Sequence, residues 1–132
     1  MQLSARITSQ YQQHEVQVRT DEVVKTLTVP VKPTGLGSAV NGGELLLLAL
    51  ATCCCNDIYR EAAKRQITVS GIEVTVSGEF GAEGEPGRNF TYTATVKADA
   101  SAEEVAALIQ HVDKVAEVHN TLRQGLPIVL QP

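Results

Sequence analysis

Paired cysteines are missing from this chain. Its three cysteines, Cys53, Cys54 and Cys55, are consecutive and odd in number, so they cannot staple distant segments together. That excludes a secreted disulfide scaffold and points to a reducing compartment, with the cytoplasm as the expected location. A basic surplus is missing as well: 11 Lys and Arg stand against 15 Asp and Glu, for a net charge of −4. Without a cationic surface to meet phosphate backbones, nucleic acid is not an expected partner. Long hydrophobic runs are also lacking. The longest, Leu45 to Ala51, continues after Thr52 only into the cysteines, whereas a membrane-spanning helix needs about 20 apolar residues. No membrane association is expected. The N-terminal MQLSARITSQ alternates apolar and polar residues and lacks the apolar region of a secretory leader.

Several catalytic signatures are absent. GLGSAVNGG lacks the lysine of a P-loop and the glycine spacing of a dinucleotide fold. There is no Ser nucleophile elbow. Structural zinc wants spaced Cys or His pairs, and adjacent cysteines on a helix cannot converge on one ion. His14, His111 and His119 show no ligand-like spacing. No metal and no cofactor is expected.

What remains is an ordinary globular composition, 43% hydrophobic and 20% charged over 132 residues, read as one domain spanning 1–132. Leu3, Ala5 and Ile7 alternate with polar neighbours, Val16 and Val18 repeat the pattern, and Val23 to Val29 is a β-branched run. Residues 3–29 therefore predict a three-stranded antiparallel meander. Prolines and glycines make 30–42 a loop. Asn41 and Glu44 then have the spacing of a capping box. The helix they open is apolar on every side as far as Cys55, and a helix of that kind must be wrapped by protein all round. One short chain has difficulty supplying that cover alone, which points to a dimer. Beyond Asn56 the charges of Asp57, Arg60, Glu61, Lys64 and Arg65 are expected to carry the helix into water.

Ile67 to Phe80 and Phe90 to Val96 alternate again, joined by the hairpin GAEGEPGRN. Ser101 and Glu104 form a second capping box, and Val105, Leu108, Ile109, Val112 and Val115 follow at helical spacing. Gly125 ends the helical stretch carrying Asn120 to Arg123, and Leu126 to Leu130 predicts a last short strand. The order is that of a segregated α+β domain.

Consecutive helical residues point about 100° apart. Cys53 shares its face with Ala49, Asn56 and Asp57, the least apolar surroundings of the three thiols, while Cys54 and Cys55 are expected to face the core. Packing alone accounts for free cysteines, which are commonly buried. Reactivity needs a stabilised thiolate. Cys53 is too deep in its own helix to gain much from the dipole, so a cation would have to come from elsewhere, with Arg6, Arg19 and Arg88 as candidates.

The run from Asn41 through Glu44, Leu45 and LLLALAT to Cys53 resembles the OsmC/Ohr hydroperoxide-resistance superfamily. Asp57, the segment Arg65-Gln-Ile-Thr-Val, the hairpin residues Arg88-Asn-Phe90 and the late His119-Asn120-Thr121-Leu122 fit the same pattern. The resemblance implies antiparallel sheets around a long central buried helix in an intertwined homodimer. It also implies a cysteine, here Cys53, that attacks a small organic hydroperoxide, assisted by an arginine and a glutamate, for which Arg19 and Glu44 are the candidates. A second cysteine and a thiol reductant then complete the cycle. Here the second cysteine's position is Ala116, and the glutamate's own position is Gly43 with Glu44 beside it. Two functions are therefore expected to compete: hydroperoxide reduction through Cys53 with an external thiol, or a non-catalytic dimer that binds a small apolar ligand or senses redox state.

Overall fold

A computed structural model describes the whole chain, Met1–Pro132. The element order is β1 (Leu3–Gln10), β2 (Gln13–Thr20), β3 (Val23–Leu27), α1 (Gly42–Lys64), β4 (Val69–Glu79), β5 (Arg88–Ala98), α2 (Ala102–Val115) and α3 (Glu117–Gln124). The fold is α+β, with two antiparallel sheets and three helices. Two compact units make up the chain, Met1–Leu45 and Leu46–Pro132.

The N-terminal unit is the expected meander, in the order β1-β2-β3. Its first hairpin turns through Tyr11 and Gln12, between the pair Gln10 and Gln13, with Gln12 in the left-handed region at φ 54°. Register places Ile7 opposite Val16 and Val16 opposite Leu27, so one row of apolar side chains crosses all three strands. The second edge of the unit is the predicted capping box: Asn41 Oδ1 accepts from the Glu44 N–H at 2.8 Å, and Glu44 Oε1 accepts from the Asn41 N–H at 3.0 Å.

In the C-terminal unit β4 and β5 form a long hairpin, with Val74 opposite Ala94 and Val76 opposite Tyr92. Its alternating inward residues, Ile72, Val74, Tyr92, Ala94 and Val96, pack against Cys54 and Ile58 of α1 and Leu108 and Val112 of α2. Ile58 and Leu108 are fully buried, each contributing about 1.5–3 kcal/mol by leaving water. Gly78 lies where a Cβ would come within 2.2 Å of the Phe90 ring, so glycine is what lets that ring lie flat across the hairpin. The second capping box is also formed, Ser101 Oγ accepting from Glu104 N–H at 3.1 Å and Glu104 Oε2 accepting from Ser101 N–H at 2.8 Å.

Helix α1 buries one stripe, Leu50, Cys54, Asp57, Ile58, Glu61 and Ala62. Leu45 and Leu48 on its apolar half remain 41% and 59% exposed, as expected of a helix that one chain cannot enclose. Two expectations need correction. The charged half does not simply enter water, because Asp57 and Glu61 fall on the buried stripe and are 5% exposed each. Their partners Arg60 and Lys64 reach outward and bring the countercharge to them. Long cationic side chains can do this where short carboxylates cannot. The strand expected over 126–130 is not formed either. Gly125 ends α3 in the left-handed conformation at φ 60°, and the residues after it are irregular, with Ile128 and Leu130 fully in solvent. A strand is defined by a hydrogen-bonding neighbour, and sequence alternation cannot supply one.

Candidate functional site

Cys53 is half-buried, Cys54 is buried and Cys55 is half-buried, all three as free thiols. Cys54 lies in the core, as expected. Cys55 does not: it borders a shallow surface depression with Ala51, Asn56 and Val74. Burial pushes the Cys54 thiol up to about 11, which makes it an unreactive packing residue at neutral pH.

Cys53 faces the junction of α2 and α3. Its sulfur lies 3.7 Å from Asp57 Oδ2 and 3.9 Å from Glu117 Oε2, either of which can accept the one thiol proton, and the backbone N–H of Val118 is the neighbour that favours its thiolate. Asp57 is one turn further along the same helix, while Glu117 and Val118 open α3, a helix with no side-chain cap at Ala116. A helix N-terminus offers unpaired N–H groups that favour negative charge. The arrangement is therefore mixed. Burial raises the Cys53 pKa, the nearby Asp57 and Glu117 carboxylates raise it further, and the Val118 N–H works in the opposite direction.

Arg60 binds the two carboxylates together. Its guanidinium lies 2.9 Å from Asp57 Oδ1, 3.3 Å from Glu117 Oε1 and 3.0 Å from Glu61 Oε1. Burial and the adjacent Glu117 hold the Asp57 carboxyl above its ordinary value, whereas its own backbone N–H chiefly holds Glu117 below. Asp57 is thus the member of the pair that keeps a proton more readily. Cys53, Asp57 and Glu117 also bring one sulfur and two carboxylate oxygens within 4.8 Å of one another. These are the residues that could hold a metal ion, but the guanidinium of Arg60 already bridges the two carboxylates.

Arg19 donates to Glu22 at 3.1 Å and to the Asp21 carbonyl, and Glu44 is occupied in its capping box. Arg6 donates to Gln17 at 3.0 Å, and Arg88 pairs with Glu79 and Glu85 across its hairpin. The cation that comes next to the Cys53 cluster is Arg60, whose charge in the sequence points only to the solvent. Its spacing of three from Asp57 was a usable signal. Glu117 had none, because it lies 64 residues from Cys53 along the chain.

A second polar group surrounds His119, which is 5% exposed. Its ring stands edge-on to Tyr92 with centroids 4.8 Å apart. The Tyr92 hydroxyl donates to Asp113 Oδ1, to which Arg123 also donates at 2.7 Å. Those two bonds hold Asp113 below the ordinary carboxylate range, and burial pushes His119 below 6.5.

The OsmC-like protein family model matches residues 35–131. Among curated proteins, none matches the chain. Solved structures share its fold. An OsmC-like protein from Mycoplasma pneumoniae is 23% identical with a TM-score of 0.63, covering 91% of this chain and 87% of the other. An OsmC-like protein of unknown function from Vibrio cholerae gives 14% identity and a TM-score of 0.65, over 92% and 93%. An organic hydroperoxide resistance protein from Elizabethkingia anophelis gives 20% and 0.56, over 93% and 89%. No helix of this chain is long and apolar enough to cross a membrane. With a family model matching from the loop before α1 almost to the C-terminus, the chain belongs to the OsmC-like family.

Proposed function

We propose that this protein is a homodimeric thiol enzyme that reduces small organic hydroperoxides through Cys53, using an external thiol as reductant. The observation that carries this reading is the position of the Cys53 sulfur at the uncapped start of α3, facing the Val118 N–H with a proton acceptor, Asp57, 3.7 Å away. The first step removes the thiol proton, and the sulfur attacks the terminal peroxide oxygen. The O–O bond breaks, the thiol becomes a sulfenic acid, and the departing alkoxide takes up the proton as an alcohol. An external thiol then displaces water from the sulfenic acid, forming a mixed disulfide, and a second thiol releases Cys53 reduced. Cys54 is an unsuitable partner, since it is buried and a disulfide between adjacent helical residues violates the narrow geometry of the bond.

The exposed apolar residues of α1 and, in the other unit, the apolar row of the N-terminal sheet each support the homodimer, because monomers rarely leave large apolar surface in water. Arg19 and Glu44 keep the roles that the family resemblance implies, as arginine and acid acting on the hydroperoxide. The cytoplasm, with its pool of small thiols, is the compartment in which such an enzyme would turn over.

A second reading is favoured by one observation, the part burial of Cys53 beside the carboxylates of Asp57 and Glu117, which together raise its thiol pKa. On that reading the dimer is not catalytic and binds a small apolar molecule where the subunits meet.

Intact mass measured before and after one equivalent of cumene hydroperoxide separates the two. A rapid gain of one oxygen in the parent, lost in Cys53→Ser and kept in Cys54→Ser and Cys55→Ser, is the expected result. Slow oxidation that survives Cys53→Ser would overturn the enzymatic reading.

A further inference from the structure

Each carboxylate beside Cys53 divides its two oxygens between two partners. Asp57 places Oδ2 3.7 Å from the Cys53 sulfur and Oδ1 2.9 Å from Arg60 Nη1. Glu117, arriving from α3, repeats this with Oε2 3.9 Å from the sulfur and Oε1 3.3 Å from the same nitrogen. One guanidinium nitrogen thus closes a ring of four side chains at the thiol. The guanidinium is held on a second edge as well, where Nε donates to Glu61 Oε1 at 3.0 Å.

Glu61 is a firm anchor. It is 5% exposed, and Lys64 Nζ and His111 Nε2 lie 3.0 and 3.3 Å from its carboxylate. The bonds from Lys64 and Arg60 hold its carboxyl down to about 2, so it is an anion at any ordinary pH. A planar guanidinium bound through both Nε and Nη1 has a set orientation, which the ammonium of a lysine on its flexible stem lacks.

The charged groups facing the sulfur are Asp57 from its own helix and Glu117 from α3, and both oppose its ionisation. The adjacent Cys54 thiol is buried and stays protonated. Two carboxylates this close together also tend to keep a proton between them. A proton retained on Asp57 would leave it unable to accept the one on Cys53. Arg60 contacts both carboxylates, and its charge draws Asp57 toward the ionised form.

We propose that Arg60, oriented by Glu61, is a positioning residue for Cys53: it holds Asp57 as acceptor of the thiol proton and offsets the charge of Glu117, so that a thiolate can form between them. The role rests on the reading of Cys53 as the reacting thiol. It is separate from those of Arg19 and Glu44, because Arg60 acts through Asp57 and Glu117.

Alkylation by iodoacetamide, an uncharged probe of the thiolate, tests this on the full-length reduced protein, with modified Cys53 located by fragment mass spectrometry across a pH series. Arg60→Gln should move the midpoint of the rate profile up by about one pH unit, a tenfold loss of rate below it. A merely structural role would loosen the site, expose the sulfur and raise the rate instead. Glu117→Gln should move the midpoint down, and Arg60→Gln combined with Glu117→Gln should bring it back near the parent's. Arg60→Lys, which keeps the charge without the two-edged grip, should fall between the parent and Arg60→Gln. Glu61→Gln should move the midpoint up although it deletes a negative charge, because Arg60 loses its anchor. The Arg60 and Glu117 side chains are 40% and 67% exposed, so Arg60→Lys and Glu117→Gln keep the test decisive if Glu61→Gln does not fold. A midpoint unmoved or lowered in Arg60→Gln, Arg60→Lys or Glu61→Gln, or one not restored in the double variant, would overturn the proposal. Cumene hydroperoxide added to the same samples separates this from the peroxidase reading. Oxygen gained at Cys53 with an unmoved Arg60→Gln midpoint removes only the role of Arg60. The expected shifts without any gain of oxygen remove the peroxidase and leave the effect of Arg60 on the thiol standing.

Discussion

In the C-terminal unit, Val74, Ala94 and Val96 of β4 and β5 pack against Ile58, Leu108 and Val112 of the helices. In the N-terminal unit, Ile7, Val16 and Leu27 form an equally regular apolar row, yet Ile7 is 54% and Leu27 49% exposed. Every fully buried side chain of the protein falls between Leu50 and His119. Both sheets come from the same alternation of apolar and polar residues. The difference is that the β4–β5 sheet packs against α1 and α2 within its own unit, whereas the N-terminal unit holds no helix of its own to cover its sheet. Alternation specifies which face of a sheet seeks cover and is silent about what provides it. A three-stranded meander with an uncovered apolar face is marginal by itself, which is the strongest physical argument for the proposed dimer.

The largest effect that would sharpen this contrast is expected from Leu108→Ala. Removing a fully buried leucine should lower stability by about 2–5 kcal/mol in urea unfolding. Ile7→Ala should cost far less if its side chain stays in water. A cost for Ile7→Ala close to that of Leu108→Ala, growing with protein concentration, would show instead that the N-terminal row is core in the assembled dimer. Gly78→Val comes next. A side chain there must displace the Phe90 ring, at about 1–3 kcal/mol. Ser101→Ala removes a formed cap from the covered unit and should cost about 1 kcal/mol.

Two further variants report on the sites. Ala116→Cys should close a disulfide with Cys53 when peroxide is added, visible as a loss of two hydrogens by mass, because the Cys53 sulfur lies against the residues directly following Ala116. No disulfide in that variant would mean that Cys53 does not form a sulfenic acid or cannot reach position 116. The smallest effect concerns pH. The His119 value is lowered in the fold from 6.5, so the unfolded chain takes up that proton first as pH falls. Its contribution to stability is complete above 6.5 and declines as the pH drops through 6.5 toward the lowered folded value. The melting temperature of His119→Gln should therefore decline less over that interval than the parent's; equal slopes would remove His119 as the cause.

Much of the architecture was legible in the residues. The meander, the β4–β5 hairpin and both capping boxes follow from short-range spacing, where each residue's role depends on neighbours two to four positions away. Alternation over 126–130 predicts a terminal strand that the structure does not form, because no segment pairs with it. Charge alone points Asp57 and Glu61 to solvent, yet Arg60 and Lys64 stabilise both carboxylates within the buried stripe. At the candidate site, the choice of Cys53 over its two neighbours came from helical geometry. The group around it did not, since Glu117 and Val118 arrive from the far end of the chain.

The sequence by itself therefore determined the local elements, their amphipathic faces, and the one thiol of three that turns toward polar neighbours, because propensity, capping and periodicity act over a few residues. Only the tertiary structure decided which sheet is covered, that Arg60 ties Asp57 to Glu117 beside the Cys53 sulfur, and that His119 is left without a partner at the wall of a cavity. Those outcomes depend on which distant segments are packed together, and a buried charge or an unpaired imidazole acquires its energetic meaning only from the groups that packing brings to it.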